Sequence, residues 1–284
     1  MRRITLTLCL GSAVALSACG PNPDAEVNKA LDTVNVIDEA NLNDIMLMSA
    51  DPNEAVAYFR RASSDNPDRL DLKRGLALAL TKANKPTEAV VAWSGVVSHS
   101  TSTNDDRIGF ADALIRSGDW TRAKETLDGI PPTYETYRRY RLEAMVADAN
   151  KDWDKADSFY ETAVGLTTRP GGVLNNWGFS KLTRGDYQAA ERLFTEALGY
   201  DSKLFTAKNN LVLARAAQRK YDMPIVEMSQ AERAQLLYTA GLSAVKQGDT
   251  EIGKGLLQSA IDTHPQHFEA AAQSLKALEN NVAL

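Results

Sequence analysis

The chain has 284 residues, of which 44% are hydrophobic and 24% charged, a composition typical of folded globular proteins. The formal net charge is −5 at pH 7, and the isoelectric point near 5.4 argues against nucleic-acid binding. Beyond the N-terminal segment, no apolar run is long enough to span a bilayer.

Residues 1–18 are predicted to form an export signal. Arg2 and Arg3 provide its positive start, and residues 4–16 form a short apolar core. The signal ends in Leu16-Ser17-Ala18-Cys19, which resembles the bacterial lipobox, where cleavage precedes a cysteine that carries lipid. The alternative is an ordinary secretory signal with a chance cysteine. With the lipobox interpretation, Cys9 leaves with the signal and Cys19 carries lipid, so the folded body has no cysteine for a disulfide, thiol catalysis or a metal site.

The lipobox resemblance implies a diacylglyceryl thioether on Cys19 and an acylated amino group. Two or more acyl chains hold a protein stably on a membrane. Gly20 occupies the position at which an aspartate would favour inner-membrane retention, so the outer membrane is the expected location. Residues 19–35 then form the lipidated cysteine and a polar tether.

From residue 36 to residue 265 the chain repeats itself. A small residue early in a predicted helix recurs at intervals of 33 or 34 residues. A bulky apolar residue follows each marker by four positions, and a second small or aliphatic residue follows by seven. The marker alanines are Ala55, Ala89, Ala123, Ala156 and Ala190. This pattern resembles the tetratricopeptide repeat, which implies an all-α superhelical solenoid of about six to seven helix pairs.

The helices can be followed in chain order. Asp51 is a predicted cap for the first clear helix, and later repeats begin near Leu70, Asn104 and Tyr137. Residues 98–106 are predicted to form a polar loop. The four tryptophans at 93, 120, 153 and 177 fall on positions that pack the repeats together.

The most regular pair runs from Gly171 to Leu204. Its first helix is predicted at 173–183 and its second at 187–199. Between them, Gly185 suits the left-handed backbone conformation that ends a helix, and Asp186 can cap the next one.

The array is predicted to be interrupted after the next first helix, at 205–219. Pro224 stands where the marker alanine is expected, and residues 221–228 look extended. Ser229 and Glu232 form a capping box that starts a new helix. Helices at about 230–247 and 250–263 follow, and 266–284 supplies a C-terminal capping helix, at about 267–279.

No sequence motif indicates an enzyme or a cofactor site. Glycine-rich phosphate loops, nucleophile elbows and paired-histidine helix motifs are not found. His264 and His267 are three residues apart, but His264 precedes a proline in a turn and no third metal ligand is evident. We therefore expect a protein without catalytic activity, metal, cofactor or small-molecule substrate.

Binding of protein partners is the function that a solenoid of this kind favours. Its concave face is lined by the first helix of each pair and receives an extended or helical peptide. Asn175 and Asn209 would hold a peptide backbone, and Arg138 and Arg141 would take a carboxylate or an acidic side chain. The alternative interpretation of each of these positions is an ordinary solvated residue. The residues expected in the groove are Arg74, Ile108, Arg138, Arg141, Met145, Asn175, Phe179, Asn209 and Leu213.

A closer resemblance covers most of the mature chain. The segments VLNNWGFSKLTRGDYQAAERLFTEALGYD, AKNNLVLARAAQRKYDMPIVEMSQAERAQLLYTAGLSAVKQGD and AIDTHPQHFEAA, together with the lipobox, resemble the TadD family of Flp (tight adherence) pilus assembly lipoproteins. The resemblance implies a periplasmic, outer-membrane-anchored protein whose partners are the pilus secretin or other assembly components, in a pilotin-like role. An assembly factor for outer-membrane β-barrels and an adaptor for cell-wall hydrolases are the alternatives.

Overall fold

The computed structural model describes residues 42–282, which form fourteen helices and no strand. The predicted signal peptide, Cys19 and the tether lie outside these residues. The helices are α1 (42–48), α2 (Pro52–Asp65), α3 (Leu70–Lys82), α4 (Pro86–Val97), α5 (Asn104–Arg116), α6 (Trp120–Asp128), α7 (Tyr137–Ala149), α8 (Trp153–Gly165), α9 (Gly171–Thr183), α10 (Tyr187–Tyr200), α11 (Phe205–Ala216), α12 (Gln230–Lys246), α13 (Thr250–Thr263) and α14 (Glu269–Val282). The predicted all-α repeat fold is confirmed.

The same type of turn joins the two helices of most pairs. After α9, Gly185 adopts a φ of 84°, and the amide of Asp186 donates to the carbonyl of Lys181 at 3.0 Å. This bond crosses the helix end and satisfies a carbonyl that has no partner within the helix. The same left-handed conformation recurs at Asn84, Gly118, Lys151, Arg219 and Gly248.

The repeated small and large positions form the core. Phe194 on α10 is completely buried, and its ring lies against Gly178 on α9, where an added Cβ would come within 2.7 Å of the ring. Gly75 on α3 meets Phe59 on α2 of the preceding repeat in the same way, at 2.3 Å. Neighbouring helices, within a pair or between repeats, can therefore approach closely at these points because one of them lacks a side chain at the crossing.

The loop at 98–106 is shorter than the sequence predicts. The Thr103 hydroxyl accepts from the amide of Asp106, and the Asp106 carboxylate accepts from the amide of Thr103 at 2.8 Å. This reciprocal capping starts α5 at Asn104, so the last three residues of the predicted loop are helical.

The interruption lies where the sequence predicts it. Helix α11 ends in the usual turn, with Arg219 at φ 60°, but residues 221–229 then run irregularly to α12. Pro224 offers no amide for a helix, which explains why a second helix is missing here. Polar contacts cover the exposed flank of α10 instead: Glu191 accepts from Gln218 at 2.9 Å and from Lys220 at 3.1 Å.

Pairing resumes after the irregular segment. Ser229 and Glu232 cap α12 reciprocally, as the sequence predicts, and α12 packs along α13. These two helices cross closely at Gly241 and Gly253, where a Cβ on Gly253 would lie 2.9 Å from the carbonyl oxygen of Gly241. Helix α14 (Glu269–Val282) covers α13, two residues later along the chain than the helix predicted at 267–279.

Candidate functional site

Most of the predicted groove residues lie on the exposed or half-exposed side of the first helices, but Ile108 does not. Its side chain on α5 is completely buried in the core that joins α2 to α7. The prediction that Ile108 lines the groove is therefore wrong. Ile108 lies on the side of α5 that packs against the neighbouring helices, just inside the boundary with the exposed side, and its side chain has no contact with water.

Arg74 is engaged within the protein. Its guanidinium makes two hydrogen bonds, each of 2.7 Å, to the two carboxylate oxygens of Asp106 on the next first helix. Burial tends to raise the pKa of Asp106, but hydrogen bonds from Arg74 and Thr103 outweigh it and hold that pKa below its ordinary value. The structure thus places Arg74 between α3 and α5, where it fixes one repeat against the next.

Arg138 and Arg141 on α7 retain more of their donor capacity. Arg138 is 40% exposed, with a guanidinium nitrogen 4.0 Å from Asp105. Arg141 comes no closer than 3.6 Å to Asp112, and its buried Nε has no hydrogen-bond partner among the described residues. A buried donor without an acceptor is costly, so Arg141 is less fully satisfied within the solenoid than Arg74.

The two asparagines link successive first helices. Oδ1 of Asn175 on α9 accepts from Nδ2 of Asn210 on α11 at 3.1 Å. Oδ1 of Asn209 on α11 accepts from the hydroxyl of Thr239 on α12 at 2.8 Å. One hydrogen bond at each of these oxygens therefore joins successive first helices within the solenoid.

An aromatic pocket of about 310 Å³ opens between α7 and α9. Its volume is at the lower end of the range for ligand sites and suits a single large side chain. Phe179 on α9 is half exposed at this pocket. The residues that line the aromatic pocket are Trp120, Met145, Asp148, Ala149, Trp153, Tyr160, Asn175, Asn176, Phe179, Ser180 and Thr183.

Part of this pocket is predictable from the sequence. Met145, Asn175 and Phe179 were expected in the groove and do line it, whereas Leu213 is half-buried on α11 and lies outside it. Trp120 and Trp153 were interpreted only as packing residues. Each is the first residue of a second helix, directly after a turn, and this position at the edge of the helix pair is the signal that could have identified them.

Asp148 on α7 is the charged side chain of the aromatic pocket. One carboxylate oxygen accepts from the hydroxyl of Ser180 at 2.6 Å, and the other accepts from the phenol of Tyr160 at 2.9 Å. Burial raises the pKa of Asp148 above its ordinary value, and the two hydroxyl donors only partly offset this effect.

Replacing Asp148 with asparagine is expected to stabilise the free protein at neutral pH. Because the folded-state pKa is raised, the ionised carboxylate penalises folding at pH 7, and the wild type recovers stability as the pH falls toward about 4. Urea unfolding of wild type and Asp148→Asn at pH 7.5 and pH 4.5 measures this difference. A variant less stable than the wild type at pH 7.5, by the same amount at both pH values, would contradict the expectation.

A second cavity, of about 380 Å³, lies on the side of the second helices, where α6 ends early at Asp128. Its charged lining residues are balanced in sign. The basic ones are Lys124, Arg139 and Lys155, and the acidic ones are Asp128, Glu143 and Asp152. Arg139 donates to the carbonyl of Pro131 at 2.7 Å and to Glu143 at 2.8 Å, so it holds the loop after α6 in place.

Residues 42–282 contain no group of three or more His, Cys, Asp or Glu side chains arranged to hold a metal ion. His267 pairs with Glu269 at 2.7 Å, and the ring of His264 packs against Phe268 with centroids 4.9 Å apart. Within the same residues, no helix combines the length and the apolar content that a membrane span requires.

Two stretches of the chain, residues 49–93 and 235–267, match the family described as Tetratricopeptide repeat. They coincide with α2 to α4 and with α12 and α13. None of the curated protein sequences matches this chain.

Solved structures with the same fold are similar at low sequence identity. The APC/C hetero-tetramer Cut9-Hcn1 aligns with a TM-score of 0.60 at 16% identity, over 83% of this chain and 48% of that one. Human IFIT1, solved as a dimer with m7Gppp-AAAA, gives 0.62 at 14% identity, over 89% and 69%. A tetratricopeptide repeat protein from Parabacteroides merdae gives 0.53 at 13% identity, over 90% and 98%.

These likenesses concern the fold alone, and this chain spans about half the length of the chain that it matches in the Cut9-Hcn1 complex. Tetratricopeptide repeats generally serve as protein-binding scaffolds, which agrees with an open face of first helices bearing an aromatic pocket. The protein is an all-α solenoid that contains tetratricopeptide repeats, with one second helix missing between α11 and α12.

Proposed function

We propose that this protein is a non-enzymatic scaffold that binds an extended segment of a partner protein along the first-helix face of α7 and α9. The observation that carries the proposal is the aromatic pocket, which exposes apolar rings and whose lining residue Met145 follows the incompletely hydrogen-bonded Arg141 by about one turn of α7. Exposed aromatic surface with nearby arginine is the composition of binding hot spots.

Site-specific photo-crosslinking in cells tests this surface. A photoreactive phenylalanine at Phe179 is expected to capture a partner. The same residue at Val91, which is 71% exposed on the second helix α4, is expected to capture little. Equal capture at the two positions would exclude the first-helix face as the binding surface.

We further propose that the scaffold is a lipoprotein of the bacterial outer membrane that assists Flp pilus assembly, in a pilotin-like role toward the secretin. The support is the lipobox at residues 16–19 and the resemblance of the mature chain to the TadD family. Deletion of the gene, with secretin multimers followed on a gel, tests this role. Unchanged secretin amount, location and multimerisation would contradict it.

The crosslinked partner separates the remaining functions. Capture of the secretin or another pilus component supports the pilus role. Capture of the β-barrel assembly machinery or of a cell-wall hydrolase would support one of the alternatives and overturn the pilus role. In each of these cases the binding surface on α7 and α9 is the same.

Changing Cys19 to alanine is expected to move the protein from the membrane fraction to the soluble fraction. Each buried methylene of an acyl chain contributes about 0.8 kcal/mol, so loss of the chains removes the anchor. Fractionation of cells that express Cys19→Ala or Cys9→Ala measures the effect, and Cys9→Ala is the control because it lies in the cleaved segment. A Cys19→Ala protein that stays with the membrane would contradict lipid anchoring.

A further inference from the structure

The carboxylate of Asp148 has no basic side chain next to it, unlike the comparable carboxylates of the described residues. Every other described Asp or Glu that is at least partly shielded from solvent has a lysine or arginine nitrogen within 4.0 Å. These residues are Asp106, Asp112, Asp119, Glu143, Asp157, Glu191, Glu232 and Asp249. Within residues 42–282, Asp148 has only the neutral hydroxyls of Tyr160 and Ser180.

The surroundings of Asp148 are those that suit a cation. Among the described residues that line the aromatic pocket, Asp148 is the only charged one, and four others are aromatic. The face of an aromatic ring attracts a cation, and this attraction is stronger where the site is shielded from water. The second cavity, in contrast, is lined by charges of both signs and has no such preference.

The nearby basic side chains already have partners. Arg184 donates to the two carboxylate oxygens of Asp157 at 2.6 and 3.2 Å, and Lys181 donates to the same carboxylate at 2.8 Å. Arg141 lies beside Asp112. The guanidinium of Arg184 lies 5.2 Å from the ring centroid of Trp153, so one wall of the pocket already packs against an arginine.

We propose that the aromatic pocket receives a lysine or arginine side chain of the bound partner, with Asp148 as its counter-ion. The proposal rests on the partner-binding role of the first-helix face and does not depend on the pilus assignment. Arg184 acts on Asp148 only from beyond 4.0 Å, and the partner supplies the cation in direct contact with it. Trp120, Trp153 and Phe179 provide ring surface for the alkyl stem and the cationic group.

Titration of the purified full-length protein with model compounds tests the pocket, with tryptophan fluorescence as the readout. The basic probes are the N-acetyl amides of arginine and lysine, and the comparison probes are those of norleucine, phenylalanine and glutamate at equal ionic strength. We expect saturable changes with the basic probes. Asp148→Asn is expected to weaken them about tenfold, whereas Asp154→Asn, which removes an exposed acid from α8, leaves them unchanged.

The result that overturns the proposal is equal or stronger binding of norleucine, phenylalanine or glutamate amide, or binding of the basic probes that Asp148→Asn does not alter. No saturable change with any probe would also overturn it. Crosslinking from Phe179 separates the two proposals. Partner capture that persists in Asp148→Asn removes only the basic-residue inference, and binding of basic probes without partner capture removes only the proposed function.

Discussion

Phe194→Ala is expected to lower the free energy of unfolding by about 3–5 kcal/mol. The ring of Phe194 is completely buried between α9 and α10, and Gly178 lies directly against it. Removing the ring leaves a cavity that the paired helices can close only in part, because their crossing is already set by the absence of a side chain at Gly178. Urea unfolding followed by circular dichroism measures the loss.

Phe179→Ala is the matched control for this prediction. Phe179 lies next to Gly178 on α9, but half of its surface is exposed at the aromatic pocket. Its removal is expected to change stability by no more than about 0.5 kcal/mol, as at other surface positions. Equal losses from the two substitutions would show that the burial pattern described for α9 and α10 is incorrect.

Asp157→Ala is expected to cost about 2–3 kcal/mol at pH 7, because its carboxylate joins three donors on the neighbouring helix pair. The indole nitrogen of Trp177 donates to it at 2.7 Å, alongside Lys181 and Arg184. The carboxylate is 27% exposed, so solvent screening keeps the cost below that of a fully buried ion pair. Asp154→Ala, at an exposed position of the same helix, is the control.

The pH dependence of that cost follows from the Asp157 pKa. Burial tends to raise this pKa, but the hydrogen bonds from Arg184, Lys181 and Trp177 outweigh burial and lower it. Because the pKa is lower in the folded state, the ionised carboxylate stabilises the folded protein at pH values above its unfolded pKa of about 3.9. This contribution is lost as the pH falls through the folded-state pKa. The difference between wild type and Asp157→Ala should therefore shrink below about pH 4. A constant difference from pH 7 to pH 3 would contradict the assignment.

The helices and their pairing could be predicted because they depend on local signals that repeat. A turn residue that adopts positive φ, such as Gly118 or Gly185, follows most of the first helices, and after these two glycines an aspartate caps the next helix. The break at 221–229 was predictable for the same reason, since Pro224 excludes a helix locally. The exception at 98–106 arose because the capping pair of Thr103 and Asp106 lies inside a run of polar residues that looks like a loop.

The binding surface was only partly predictable, since it depends on contacts between repeats. A helical wheel separates a buried face from an exposed one, but it does not resolve residues near the boundary. Ile108 was therefore placed in the groove although it is buried. Trp120 packs against the core as predicted, but it also lines the aromatic pocket, which the helical wheel does not show. Arg74 was predicted as a groove residue because its partner, Asp106, is 32 residues away.

The sequence by itself determined the period of the array, the position of its interruption and the all-α repeat fold, because the small and large core positions and the turn residues act over short distances. Only the tertiary structure decided which polar side chains are satisfied within the protein. It gives Arg74 and Asp157 partners on neighbouring repeats, and among the described residues it leaves the carboxylate of Asp148 without a lysine or arginine nitrogen within 4.0 Å. The physical reason is that an ion pair between repeats forms only when the helices lie at the right distance from each other. That distance is set by packing at glycines such as Gly178, and no single residue specifies it.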